Sequence, residues 1–190
     1  MKLLLASKSP RRRELLAQLG FPMETIDIDV DEYLTSPLPA AEVAEHLARR
    51  KADACPAGKL TDDTVLVTAD TVVVHKGDIL GKPHSRDEAI AMLNSLSGDR
   101  HTVYTGVCLR SNKQDFSFTE STTVVFNKLT DDDIKHYVDT YRPYDKAGAY
   151  GIQEWIGMVG IGSIEGCYYN VMGLPVARLY DSLRKRFLSN

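Results

Sequence analysis

Cysteine is scarce and unpaired in this 190-residue chain: Cys55, Cys108 and Cys167 are far apart and odd in number, with no C-x-x-C spacing. That pattern excludes a disulfide framework and a zinc knuckle, and it reads as three reduced thiols in a cytoplasmic protein. No apolar run approaches the ~20 residues of a membrane span. The apolar N-terminal run meets arginine within about ten residues, so no secretory leader is expected. Neither sign of charge dominates: 23 Lys and Arg against 26 Asp and Glu leave a net charge of −3. No global pull toward nucleic acid or an anionic membrane follows from that balance. His46, His75, His84, His101 and His136 lack ligand spacing, so a histidine-rich transition-metal site is not expected. There is also no repeat, low-complexity tract or long linker. A hydrophobic share of 43% supports a real core. The length suits a single domain over residues 1–190 with two lobes.

What is present is a mixture of strand and helix signals. Lys2–Ala6 reads as a short buried strand, and Pro10–Leu19 as a helix closed by Gly20. Glu24–Val30 alternates like a strand. A helix is predicted from about Ala40 to Cys55, and a long β-branched run covers Val65–Val74. Lys76-Gly77-Asp78 looks like a hairpin turn. Ser85-Arg86-Asp87-Glu88 reads as a capping box for a helix to about Leu96. Strands follow near Thr102–Leu109 and Phe116–Phe126, turning at Ser111-Asn112-Lys113. Thr130 caps a helix to about Tyr141. Glycine-rich Gly148–Gly173 reads as strand and turn, and Leu174–Phe187 as a final amphipathic helix. This intermixing predicts an α/β fold built on a mixed sheet with flanking helices.

The first helix carries charges of the wrong sign. Ser9 is a good N-cap and Pro10 suits the first helical position. Arg11, Arg12 and Arg13 then crowd an end that already bears about half a positive charge and unpaired N–H groups. The helices after Ser85 and Thr130 place acids in the first turn instead, as the dipole prefers. An anion at the turn would resolve the conflict, bound by backbone N–H groups, the Ser7 and Ser9 hydroxyls and two guanidinium forks. Arg11 and Arg12 precede Leu15 and Leu16 on the inward stripe, whereas Arg13 faces solvent. The plain alternative is a solvated basic helix start.

Two charged residues interrupt apolar patterns. At about 100° per residue, Lys51 falls among Val43, Ala44, Leu47, Ala48, Ala54 and Cys55. Such a lysine either snorkels to the edge of the stripe or enters a cleft and meets a phosphate or carboxylate. Asp70 interrupts the Val65–Val74 run, with Thr71 beside it. A buried carboxylate needs a partner, a metal or a cleft. Its roles would be Mg²⁺ ligand or general base, against a plain turn cap at a strand end. Asp31 and Glu32 follow a strand and offer a second carboxylate, and hard oxygens of this kind suit Mg²⁺ or Mn²⁺. Lys82, in the shaped loop Ile79–Pro83, either reaches a phosphate or is an exposed charge. The polar loop Asp145–Gln153 ends in an amide able to read a base edge, or is an ordinary turn.

Five ordered motifs in the chain resemble the Maf family of nucleoside triphosphate pyrophosphatases. They are Ala6-Ser7-x-Ser9-Pro10-Arg11-Arg12 with Glu14-Leu15-Leu16; Ala69-Asp70-Thr71-Val72-Val73; Leu80-Gly81-Lys82-Pro83; Asp145–Gln153; and Tyr168-Tyr169-Asn170-Val171-x-Gly173-Leu174-Pro175. The resemblance implies a fold similar to the inosine-triphosphate pyrophosphatases, with a long mixed sheet, flanking helices and a two-lobed cleft, in a homodimer. It implies cleavage between the α- and β-phosphates. By the same resemblance, Ser7, Arg11, Arg12, Lys51 and Lys82 would hold phosphates. Glu32 and Asp70 would hold Mg²⁺ or Mn²⁺, with Asp70 also the proton acceptor. Arg12, Thr71 and Gln153 would select the base. The Asp145–Gln153 form is similar to the branch acting on dTTP and UTP, the sister branch acting on 7-methyl-GTP. One departure stands out: Thr68 occupies a position where many members have glycine, which bears on the loop's shape more than on the chemistry. The rival expectations are another modified-nucleotide pyrophosphatase and a non-enzymatic regulator of septum formation.

Overall fold

The computed structural model describes residues 1–31, 33–34 and 36–188. The chain runs β1 (Lys2–Ala6), α1 (Pro10–Ala17), β2 (Met23–Thr25), α2 (Ala40–Asp53), β3 (Thr64–His75), β4 (Asp78–Leu80), α3 (Arg86–Leu96), β5 (Arg100–Arg110), β6 (Asp115–Phe126) and α4 (Asp131–Tyr141). A single 3₁₀ turn at Ala147–Ala149 follows, then α5 (Trp155–Gly160), β7 (Ile161–Glu165), α6 (Tyr168–Val171) and α7 (Val176–Phe187). The strands form one mixed sheet in the order β2-β1-β3-β5-β6-β7, with β4 paired to β3. This is the α/β class the pattern predicts. The chain divides into two compact units, the first comprising Met1–Asp70, Thr105–Glu120 and Gly173–Asn190, the second Thr71–Tyr104 and Ser121–Met172.

The first unit is built on parallel pairs. β1 lies parallel to β2 and to β3, as strands joined through helical crossovers must. Leu3 to Ala6 and Thr64 to Asp70 are all buried, which explains why both segments read as continuous apolar runs. α2 presents Val43, Ala44, Leu47, Ala48 and Ala52 inward, and Ala48 and Ala52 pack with Leu4, Ala6, Leu66 and Cys108. Polar ties fasten the same helix. Thr68 Oγ1 donates to the Ala48 carbonyl at 2.6 Å, and the Glu45 carboxylate accepts from Ser117 and from Thr119, the latter at 2.9 Å. Thr68 therefore sits inside β3, where its hydroxyl holds α2, and not in a loop. α7 buries Leu179 and Leu183 and stacks Arg178 over Phe118 at 4.4 Å and Arg186 over Phe116 at 3.8 Å.

The second unit closes around one apolar cluster that includes Val73, Leu93, Leu96, Val124, Phe126, Ile134, Tyr137 and Ile156. β3 and β4 form an antiparallel hairpin with the two-residue turn Lys76-Gly77. Both turn residues have positive φ, 52° and 94°, the geometry that suits the twist of a tight hairpin and that glycine adopts without strain. His101 is buried here, its Nε2 2.7 Å from the Tyr150 hydroxyl, and its Nδ1 has no hydrogen-bond partner among the described residues.

Burial, together with the neighbouring His75 and against the opposing pull of Asp99, lowers the pKa of His101 to about 4. In the unfolded chain histidine titrates near 6.5, so between these values the unfolded state binds more protons. His101 thus contributes stability that is complete above about pH 6.5 and is lost as the pH falls to about 4, on the order of 3 kcal/mol in all. Urea unfolding from pH 7.5 down to pH 4.5 should show this fall, and His101→Gln should flatten it. An unchanged pH slope in that variant would assign the effect elsewhere.

Several expected boundaries move, each for a local reason. The strand expected over Glu24–Val30 stops at Thr25, because β2 pairs only with Leu3–Leu5 of β1. Ile26 and Ile28 still pack inward, so the alternation persists without the ladder. α1 ends at Ala17, and Leu19 and Gly20 close it with tighter bonds to the Leu16 and Ala17 carbonyls. The final helix starts at Val176, since the residue before Pro175 is steered away from helical geometry. Ser85 caps α3 by accepting from Glu88 N, but the Glu88 carboxylate reaches back to His84 N instead of completing a box. The reciprocal box lies at Thr130 and Asp133. The glycine-rich stretch from Gly148 holds short helices as well as strand.

Candidate active site

The turn after β1 folds on its own hydroxyls. Ser7 Oγ accepts from Ser9 N at 3.2 Å, and Ser9 Oγ caps α1 by accepting from Arg12 N at 3.5 Å. One hydroxyl thus shapes the turn and the next starts the helix. No acid lies in the first turn of α1, so the two guanidinium groups add to the helix dipole's positive end. Arg11 and Arg12 are half-buried whereas Arg13 is exposed, the division expected from their position relative to the buried Leu15 and Leu16. Arg12 Nε donates to the Gly173 carbonyl at 2.7 Å. That bond fixes the plane of the guanidinium, and it comes from a segment far along the chain that no local pattern around Arg12 points to.

Lys51 does enter the interior of its unit. Its Nζ meets Asp70 Oδ1 at 2.5 Å, with the two side chains 15% and 12% exposed. α2 supplies the lysine and β3 the carboxylate, while the Thr68–Ala48 bond ties the same two elements one turn away. A largely dehydrated ion pair of this kind is a weak source of net stability. It is a strong way to hold a carboxylate aimed and close to a cation. Ala54, expected on the same stripe, is exposed past the end of α2.

The remaining candidates belong to the second unit or lie between β2 and α2 in the sequence. Thr71 follows Asp70 in β3 and is half-buried, Lys82 is exposed on the segment after β4, and Gln153 is exposed beyond the 3₁₀ turn. Glu32, the second expected metal ligand, lies outside the described residues. Asp31 is exposed, and its Oδ1 accepts from Tyr33 N at 2.8 Å.

Among the described residues there is no group of three or more His, Cys, Asp or Glu able to hold a metal ion. Mg²⁺ at a nucleotide commonly takes only one or two carboxylates, the substrate phosphates supplying further oxygens. Asp70 offers a hard oxygen of that type, so the donor chemistry fits a metal brought with its nucleotide. A thiolate nucleophile is disfavoured at Cys108: burial, with Asp115 accepting its S–H at 3.2 Å, pushes that thiol up to about 12.

Comparison with known proteins concerns the chain as a whole. A family model described as "Maf-like protein" matches residues 2–186. The chain is 48% identical over 186 residues to the "dTTP/UTP pyrophosphatase" of Bacteroides thetaiotaomicron, covering 97% of this chain and 95% of that one. It is 49% identical over 185 residues to the protein of the same name from Porphyromonas gingivalis, covering 96% and 93%. The Flavobacterium johnsoniae protein of that name is 43% identical over 182 residues, with coverage of 96% and 93%. Among solved structures, the Staphylococcus aureus Ham1 protein aligns with a TM-score of 0.46 and 14% identity, over 66% of this chain and 72% of that one.

Proposed function

Because the chain belongs to the Maf family, we propose that it is a nucleoside triphosphate pyrophosphatase that hydrolyses dTTP and UTP to the monophosphate and pyrophosphate. The observation that carries this reading is the likeness, over nearly the whole length, to proteins bearing that name. The Lys51–Asp70 pair supports it, because it supplies the poised carboxylate such a reaction needs.

In the proposed mechanism Asp70 is the base. Lys51 holds Oδ1, and Oδ2 accepts a proton from a water molecule as the water oxygen bonds to the α-phosphorus. The bond from that phosphorus to the bridging oxygen breaks, and pyrophosphate leaves with the electron pair. Ser7, the N–H groups opening α1, Arg11 and Arg12 would bind phosphate oxygens and stabilise the charge that grows on the leaving group. Asp70 and Glu32 would hold Mg²⁺ or Mn²⁺, which would supply charge neutralisation at the phosphates. For Lys82 as a phosphate ligand, and for Thr71 and Gln153 as base-selecting residues with Arg12, the proposal rests on the family motifs they occupy.

No helix among the described residues is long and apolar enough to cross a membrane. A nucleotide-pool substrate and the free thiols support a cytoplasmic setting. Exposed Met158 and Val159 on α5, beside edge strand β7, support a homodimer.

A panel assay for pyrophosphate release tests the function, run with dTTP, UTP, dCTP, GTP and 7-methyl-GTP, with and without added Mg²⁺ or Mn²⁺. The expected outcome is metal-dependent turnover of dTTP and UTP at least tenfold above the others in kcat/KM. Preference for 7-methyl-GTP, or nucleotide binding with no hydrolysis at any metal concentration, would overturn the assignment.

A further inference from the structure

Gln153 is the exposed member of a segment otherwise fastened to the interior of the second unit. Tyr150, Gly151 and Ile152 before it are buried, and Glu154 after it is anchored twice. The Tyr137 hydroxyl donates to Glu154 Oε2, and Lys146 Nζ meets Oε1 at 3.2 Å. The same Tyr137 oxygen accepts from Gly151 N at 3.0 Å. One hydroxyl, fully buried on α4, therefore clamps the segment on both sides of Gln153. Glu154 N closes the short loop by donating to the Gly151 carbonyl at 3.0 Å.

Packing reinforces the clamp. A Cβ added at Gly151 would lie 2.9 Å from the Glu154 carboxyl carbon, so this position admits only glycine while the carboxylate stays where it is. Burial and the adjoining Glu154 keep the Tyr137 phenol protonated, which sets the direction of its bond. Lys146 is itself buried and also meets Asp145 at 2.7 Å. A buried lysine and tyrosine and a half-buried glutamate satisfying one another are costly to assemble unless geometry is excellent. Such a cluster does little for an apolar core, but it holds a loop in one conformation.

We propose that Tyr137, Glu154 and Lys146 form a positioning cluster that sets the orientation of Gln153 and thereby the base preference, a proposal that rests on the base-reading role given to Gln153 above. An exposed amide discriminates bases only when its donor and acceptor are held in a defined direction. On a loose loop the same amide must give up conformational freedom on binding and accepts several partners. Neither Tyr137 nor Lys146 needs to touch substrate for this.

The test is a double-mutant cycle on discrimination, with steady-state kinetics on dTTP and dCTP for the full-length enzyme. Tyr137→Phe removes both hydrogen bonds at nearly constant volume. It is expected to lower the dTTP/dCTP ratio of kcat/KM about tenfold, mainly through KM for dTTP, with kcat changed less than about threefold. Glu154→Gln, which keeps the shape and loses the lysine pair, should act in the same direction and guards against Tyr137→Phe failing to fold. In a Gln153→Ala background, Tyr137→Phe should change the ratio by less than twofold, because the residue it orients is gone. Equal losses for both nucleotides, or an effect that persists without Gln153, would reduce the cluster to a structural role and overturn the proposal. If Gln153→Ala itself leaves the ratio intact, the base-reading role falls and the cluster's function falls with it. An absence of hydrolysis by the unaltered enzyme would instead strike the pyrophosphatase reading.

Discussion

Asp70→Asn is expected to reduce kcat for dTTP hydrolysis by about 10³-fold with KM nearly unchanged, a barrier increase of roughly 4 kcal/mol. The substitution keeps the side-chain shape at the end of the buried β3 run, and the amide oxygen still accepts from Lys51, whose Nζ lies 2.5 Å from Oδ1 in the parent. What disappears is the capacity to take a proton and the negative charge beside the lysine. Stability should fall by no more than about 1–2 kcal/mol, because the lysine keeps a hydrogen-bond partner. Steady-state kinetics together with urea unfolding separates these two readouts. A variant that turns over at close to the parental rate would remove Asp70 from the role of base. One that loses activity only in step with folded protein would make Asp70 structural. Loss concentrated in KM would point to phosphate or metal binding as its main contribution.

Gly106→Ala should be strongly destabilising to the first unit. Gly106 lies in β5 directly beneath α2, and a Cβ there would sit 2.2 Å from Glu45 N and 2.3 Å from the Ala44 carbonyl carbon. Backbone atoms of a packed helix cannot yield as a flexible side-chain tip does. Either α2 lifts from the sheet or β5 distorts, at a cost of about 3 kcal/mol or more. The lift would pull on the Thr68–Ala48 bond and on Lys51, which is carried by the same helix. Activity should therefore fall beyond what the loss of folded protein explains. Urea denaturation and turnover per folded molecule provide the measurement. Gly81→Ala is the control, since nothing lies within 4 Å of an added Cβ at that position. Equal stability of the two variants would show that the approach of α2 to β5 is looser than described.

Much of this was legible from the chain. β1 and β3 were readable because parallel strands buried on both faces need unbroken apolar runs. Lys51 and Asp70 each stood out as a charge within such a pattern, and the inward bias of Arg11 and Arg12 over Arg13 followed from helical angle alone. Their meeting did not follow. A stripe on α2 and an acid in β3 become neighbours only through the register of β1 with β3 and the seat of α2 on both. β2 was overread because alternation reports which side chains turn inward, and in residues 26–30 they do so without a ladder. The Gly148–Gly173 stretch was misread because helices of four to six residues, α5 and α6, are too short to show a period. The Tyr137 clamp had no local signal, since Tyr137 and Glu154 are 17 positions apart. Gly106 did carry one: a glycine inside a strand often marks a close backbone approach.

The bond from Arg12 Nε to the Gly173 carbonyl spans 161 positions, and it has a consequence in time. β1 and α1 leave the ribosome well before the group that orients Arg12, which is translated 161 positions later. At ~5–20 residues per second, the interval is roughly 8 to 32 s. During that period the nascent chain carries its arginines without the carbonyl that aims one of them. The first unit also draws its last helix, α7, from the end of the chain. Its assembly therefore includes contacts between segments distant in sequence. A growing polypeptide can already contain Arg11, Arg12, Lys51 and Asp70 and still lack the carbonyl that aims Arg12.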